Sequence, residues 1–151
     1  MRSLKLLALT GYACVALITL AMASVFLTAT EFFPYHAVAS GIDWADLEPG
    51  LQTVFLAVFR VCGAGWLTVA IALALLIAFP FGRRDESWSY LAIPLLALIF
   101  WGITLATTVH VARTTPATPP WAGSLFCIGL TLLSAILAAL SRRGSAMRAE
   151  V

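Results

Sequence analysis

The sequence predicts an all-α integral membrane domain: a four-helix bundle over residues 1–151 with both termini cytoplasmic. Three observations predict it. Four apolar runs, at residues 6–29, 50–81, 88–111 and 121–140, are each long enough to cross about 30 Å of hydrocarbon. Hydrophobic residues make up 62% of the chain and charged ones 11%, too thin a charged skin for a soluble domain of this size. The basic residues are also segregated. Arg2, Lys5, Arg83, Arg84, Arg142, Arg143 and Arg148 fall on one side of the spans, and Arg113 alone falls in a loop on the other. Positive charge stays cytoplasmic, so the chain belongs in a bacterial cytoplasmic (inner) membrane. The lipid bilayer is its first partner. A formal net charge of +2 excludes nucleic acid as one.

The first span follows the basic start Met1 to Lys5. Its beginning has the features of a secretory signal, with Ala21-Met22-Ala23 at the place of cleavage. The apolar run continues through Val25, Phe26 and Leu27 without a polar segment, which argues for a retained helix. Thr10, Cys14, Ala21, Ser24, Thr28 and Glu31 recur in steps of three, four or seven. They therefore share one face, expected to be a packing seam because small residues let helices approach closely in lipid.

The outer loop, residues 31–50, holds Glu31, Asp43, Asp46 and Glu48 and no Lys or Arg. Phe32, Phe33, Tyr35 and Trp44 place it against the membrane surface. Asp43 is positioned to cap a short surface helix over residues 44–48, and Pro49 suits the first turn of the second span.

That span carries Arg60, nine residues from Leu51 and so roughly 13 Å along a helix. A guanidinium there costs about 2.5–3.5 kcal/mol unless it reaches water or an anion, and it cannot escape by losing its proton. One reading is a functional cation with a partner; the other is a side chain that snorkels to the headgroups. Gln52, Leu56, Arg60 and Gly63 share a face.

Six residues, Gly82 to Ser87, join the second and third spans and make them antiparallel neighbours. The third contains Pro94 as a bend near its start and a face of Trp101, Thr104 and Thr108, with Thr107 and His110 slightly rotated from it. Arg113 and the Thr- and Pro-rich stretch to Pro120 form the second outer loop. The fourth span shows a seam of Ser124, Cys127, Thr131 and Ser134.

These pieces suggest a site. Glu31 ends the first span and Arg60 lies in the outer half of the second, so they form the natural ion pair. With Thr107, His110 and His36 they outline an outward-facing polar ligand-binding pocket. His36, His110 and the outer carboxylates raise the question of a metal, but no His-x-x-His or Glu-x-x-His spacing supports one, and no metal is assigned. Cys14, Cys62 and Cys127 lie in three different spans without a Cys-x-x-Cys pair. They read as buried free cysteines, acting as small apolar side chains. No phosphate-cradling glycine loop, nucleophile elbow or mid-span acid pair is present, so no catalytic residue and no cofactor is assigned.

Phe33-Pro34-Tyr35-His36-Ala37, Arg60-Val61-Cys62-Gly63-Ala64-Gly65, Pro80-Phe81-Gly82-Arg83-Arg84 and the stretch Thr115 to Trp121 together resemble a group of uncharacterised small bacterial membrane proteins. More distantly, an arginine ahead of glycines in the second of four spans is similar in layout to DoxX-like proteins. The resemblance implies architecture and no activity, since no catalytic residue matches. The sequence thus supports a non-enzymatic multi-pass protein that binds a small molecule, a lipid or a partner subunit. Its alternatives are an oligomeric small transporter or channel, and a membrane-embedded redox protein using haem or quinone near His36 and His110.

Overall fold

The computed structural model describes the backbone of residues 2–149 and the side chains of residues 3–143. The side chains of Arg2 and Arg148, both part of the charge count, lie outside that description. Among the described residues all regular structure is helical. Helix α1 spans Arg2–Thr28, α2 Pro34–Ser40, α3 Pro49–Leu76, α4 Ser89–Thr114 and α5 Trp121–Ala149. A 3-10 turn occupies Trp44–Asp46, and a π-helix, Ile77–Arg83, continues α3. Four helices are long and apolar enough to cross a membrane: α1, α3 with its π continuation, α4 and α5.

The four alternate in direction. α1 packs on both α3 and α5, α5 packs on α4, and the α3–α4 contact is the thinnest of the ring. The connection, residues 84–88 in the structure because the π-helix runs on through Arg83, makes α3 and α4 neighbours without pressing them together. Each helix buries a stripe that repeats every 3.5 residues: Ala8, Tyr12, Val15 and Thr19 in α1; Phe59, Gly63, Trp66, Ala70, Leu73 and Ile77 from α3 onward. In α4 the stripe is Pro94, Ala97 and Trp101; in α5 it is Ser124, Cys127, Thr131, Ser134, Ala138 and Ser141. That period keeps a stripe turned toward its neighbours in a left-handed bundle.

The α5 seam is the one expected from its small residues. The α1 stripe is not: Thr10, Cys14, Ala21, Ser24 and Thr28 are all exposed on the outside of the bundle. Their hydroxyls need no neighbouring helix, because Thr10, Ser24 and Thr28 donate to the carbonyls of Leu6, Leu20 and Ser24, one turn back. Cys14 and Cys62 are likewise exposed, and only Cys127 is buried.

Several boundaries move. α4 runs to Thr114, so Arg113 sits in its last turn, where a cation meets the negative end of the helix. α5 continues beyond residue 140. In the loop, residues 44–48 make only the 3-10 turn, without a side-chain cap from Asp43. The surface helix is instead α2, which begins with Pro34 in its first turn and is ended by Gly41 at φ 71°, a conformation open to glycine.

One end of the bundle gathers Lys5, Arg83, Arg84, Arg142 and Arg143. There Lys5 Nζ donates to Asp85 Oδ1 at 2.5 Å and Tyr90 Oη donates to the same oxygen at 2.7 Å. Arg142 lies over the Tyr90 ring at 5.3 Å. This clamp ties α1, the 84–88 connection and α4 together. α2 covers the opposite end.

Candidate functional site

Arg60 is held by backbone. Its Nη1 donates to the carbonyl oxygens of Phe26, at 3.2 Å, and of Leu27. These belong to the last turn of α1, whose carbonyls have no partner within the helix and carry its negative pole. The approach depends on Gly63, one turn along α3. A Cβ there would lie 2.7 Å from Leu27 Cγ and 3.0 Å from the Leu27 backbone nitrogen. Glycine lets the two helices close until the guanidinium reaches the carbonyls.

The expected Glu31–Arg60 ion pair does not form; among the described residues the ion pair present is Lys5–Asp85. Carbonyl oxygens at the end of α1 take the guanidinium in place of the carboxylate beyond them. Glu31, Arg60, Thr107 and His110 are all exposed, and the Thr107 hydroxyl is satisfied by the Ile103 carbonyl at 2.9 Å. Among the described residues no three His, Cys, Asp or Glu side chains come together as a metal site.

His36 is half-buried and structural. Its backbone N–H donates to the Phe33 carbonyl at 2.8 Å, and its Nδ1 accepts from the Phe33 N–H at 3.2 Å. This reciprocal pair starts α2 as a Gln or Glu would in a capping box. The ring packs on Phe33 and Phe59, each with centroids 5.5 Å away, and on Tyr35 at 4.1 Å. Burial among these rings lowers its pKa from the ordinary value, in keeping with an Nδ1 that must stay unprotonated to accept.

Beside Tyr35 of α2 lies a partly open cavity of about 160 Å³ between the helices. α1 lines it with Ile18, Met22 and Phe26, α3 with Trp66, and α4 with Trp101, Thr104 and Thr108; Tyr35 of α2 and Gly123 and Ser124 of α5 complete the wall with Pro120. No lining residue is charged. Phe26 stacks on Trp66 with centroids 6.0 Å apart, and Trp101 meets Trp66 edge-on at 5.1 Å. Trp101 is 3% exposed, and its buried Nε1 has no hydrogen-bond partner. The Thr104 and Thr108 hydroxyls donate to backbone carbonyls of their own helix.

None of the five residues proposed from the sequence lines this cavity, though two are next in the chain to residues that do. His36 adjoins Tyr35, and Thr107 adjoins Thr108. The available signal was depth. Tryptophans in spanning helices concentrate at the two boundaries, whereas Trp66 is fifteen residues from Leu51 and Trp101 twelve from Ser89, near the middle of their helices. An indole at mid-helix has a polar N–H to satisfy away from water. No family model, curated protein or solved structure matches the chain.

Proposed function

We propose that this is a multi-pass protein of the bacterial inner membrane, with both termini cytoplasmic, that binds a small molecule without chemically altering it in the cavity beside α2. One observation carries the reading: the cavity is lined jointly by all four long helices and by α2. Ligand sites in helical bundles form in this way, as concave and mainly apolar spaces between helices with a few polar groups in the wall. The outward position foreseen from the sequence is kept, while its centre moves from Arg60 to the Trp66–Trp101 pair. Asymmetry of basic charge between the two ends supports the membrane orientation.

Gly123 provides the test. It lines the cavity, is itself exposed, and a Cβ built on it meets no atom within 4 Å, so a larger side chain is accommodated there without displacing a helix. Wild-type protein purified in mild detergent should carry a discrete additional mass in its native mass spectrum. Gly123→Leu should lose that mass while yield and helix content stay unchanged. Retention of the mass by Gly123→Leu, or a bare higher oligomer in the wild type, would sink the reading. The second outcome would favour transport through an assembly of several copies.

A further inference from the structure

We infer that the molecule taken up by this cavity is uncharged, flat and unsaturated, and that it presents a carbonyl oxygen to Trp101. The inference rests on the binding reading above and specifies its ligand. Charge is the first criterion. Eleven residues line the space and none of them is charged at neutral pH, the Tyr35 phenol included, since burial raises its pKa above the ordinary value. A charged group placed there would lose its hydration without gaining a counter-ion.

Shape is the second. Phe26, Tyr35, Trp66 and Trp101 supply four aromatic side chains to one small space. Rings pair with rings through offset faces and edges, so a flat π system suits this wall better than a branched alkane. The volume of about 160 Å³ sets the scale, since an apolar cavity of about 150 Å³ accommodates one benzene. The part of the ligand inside is thus a single ring or one isoprenoid-sized unit.

Hydrogen bonding supplies the third. An indole nitrogen is a donor only, and a buried donor without an acceptor is costly. Trp101 Nε1 is such a donor, in a residue of the cavity wall. Thr104 and Thr108 do not relieve it, because their hydroxyls are engaged with the backbone of α4. A carbonyl oxygen accepts from Trp101 and demands no donor in return, whereas a hydrocarbon leaves the N–H as it is. Nε1 is itself buried and presents no open surface of its own, so seating the oxygen requires the indole to turn toward the cavity.

Two probes of one shape separate these terms: para-fluoroacetophenone, and para-fluoro-α-methylstyrene, in which a methylene replaces the carbonyl oxygen. Their binding is followed by fluorine NMR to the full-length protein in lipid nanodiscs, with protein-free discs correcting for partition into lipid. The wild type should bind the ketone about tenfold more tightly than the alkene, the worth of one buried hydrogen bond. Trp101→Phe should reduce that ratio to about twofold or less, Trp66→Phe should weaken both probes while keeping the ratio, and Gly123→Leu should abolish both. Equal binding of the two probes to the wild type overturns the carbonyl assignment while leaving the cavity as a binding site, as does an unchanged ratio in Trp101→Phe. Failure of both probes to bind, or their binding undiminished in Gly123→Leu, overturns the binding reading itself. If Trp101→Phe does not fold, the wild-type ratio decides alone.

Discussion

Arg60 stabilises the bundle by joining α3 to the end of α1, and its replacement tests that role against a role in binding. Arg60→Leu removes donors from the Phe26 and Leu27 carbonyls. Hydrogen bonds from a charged donor contribute about 1.5–3 kcal/mol, and a loss of that size should appear as a lower melting temperature in detergent. Ligand retention should survive, because Arg60 does not line the cavity. Gly63→Ala attacks the same contact from the other side: its Cβ would meet Leu27, backbone included, and overpacking of this kind costs about 1–3 kcal/mol. The two effects should fall short of adding in the double variant, since one helix approach carries both, and full additivity would show that the contacts are independent. The sequence located Arg60 and Gly63 on one face but not the partner. Charged side chains can be counted in a sequence, while the free carbonyls of a helix end become acceptors only when another helix brings a donor to them.

At the scale of elements, α2 covers one end of the bundle and its first turn is sensitive to pH. His36 is lowered in pKa by burial, so the neutral form is favoured in the folded state. Its stabilisation of α2 is full above the ordinary value near 6.5 and is lost as the pH falls through the lowered one. Amide exchange in α2, corrected for intrinsic rates, should therefore accelerate between about pH 7.5 and pH 5. His36→Gln, which can accept at the same position without titrating, should remove that dependence. The clamp at the other end behaves oppositely in chemistry though not in sign. Asp85 is held below the usual carboxylate range, first by the hydrogen bond from Lys5 and then by that from Tyr90. Its contribution is present above about pH 4 and disappears on acidification. Because its side chain is 60% exposed, Asp85→Asn should cost no more than about 1 kcal/mol. Asparagine tolerates the backbone at φ 56°, so thermal melts of this variant report the charge alone. α2 itself was hidden in the sequence: Phe32 to Tyr35 carry the aromatic marks of a membrane-surface loop, and the reciprocal bond between Phe33 and His36 has no compositional trace.

Across the whole molecule, the arrangement of basic residues makes a topological prediction. Reporters fused after residue 85 and at the C-terminus should be cytoplasmic, and one inserted at Gly41 should be external; the reverse pattern would overturn the orientation. Spans and turns were legible because length, hydropathy and charge act locally. The face Trp101–Thr104–Thr108 was legible too, from helical spacing. Which side of that face looks inward was not, because neighbouring positions such as Thr107 and Thr108 differ by about 100° and only packing fixes the rotation. The same concern with phase gives the π-helix its meaning. Buried positions along α3 advance as Phe59, Gly63, Trp66, Ala70, Leu73 and Ile77, and the alternation of four and three next calls for residue 80; the residue buried there is Phe81. The wide turn thus absorbs one surplus residue, and Pro80, which has no N–H for an α-helical bond, sits within it. Evolution by insertion and deletion is consequently possible at one place in this long helix: loss of Pro80 would leave a continuous α-helix with both halves facing as before, whereas losing a residue anywhere in the α3 stripe would swing every later side chain to a different neighbour.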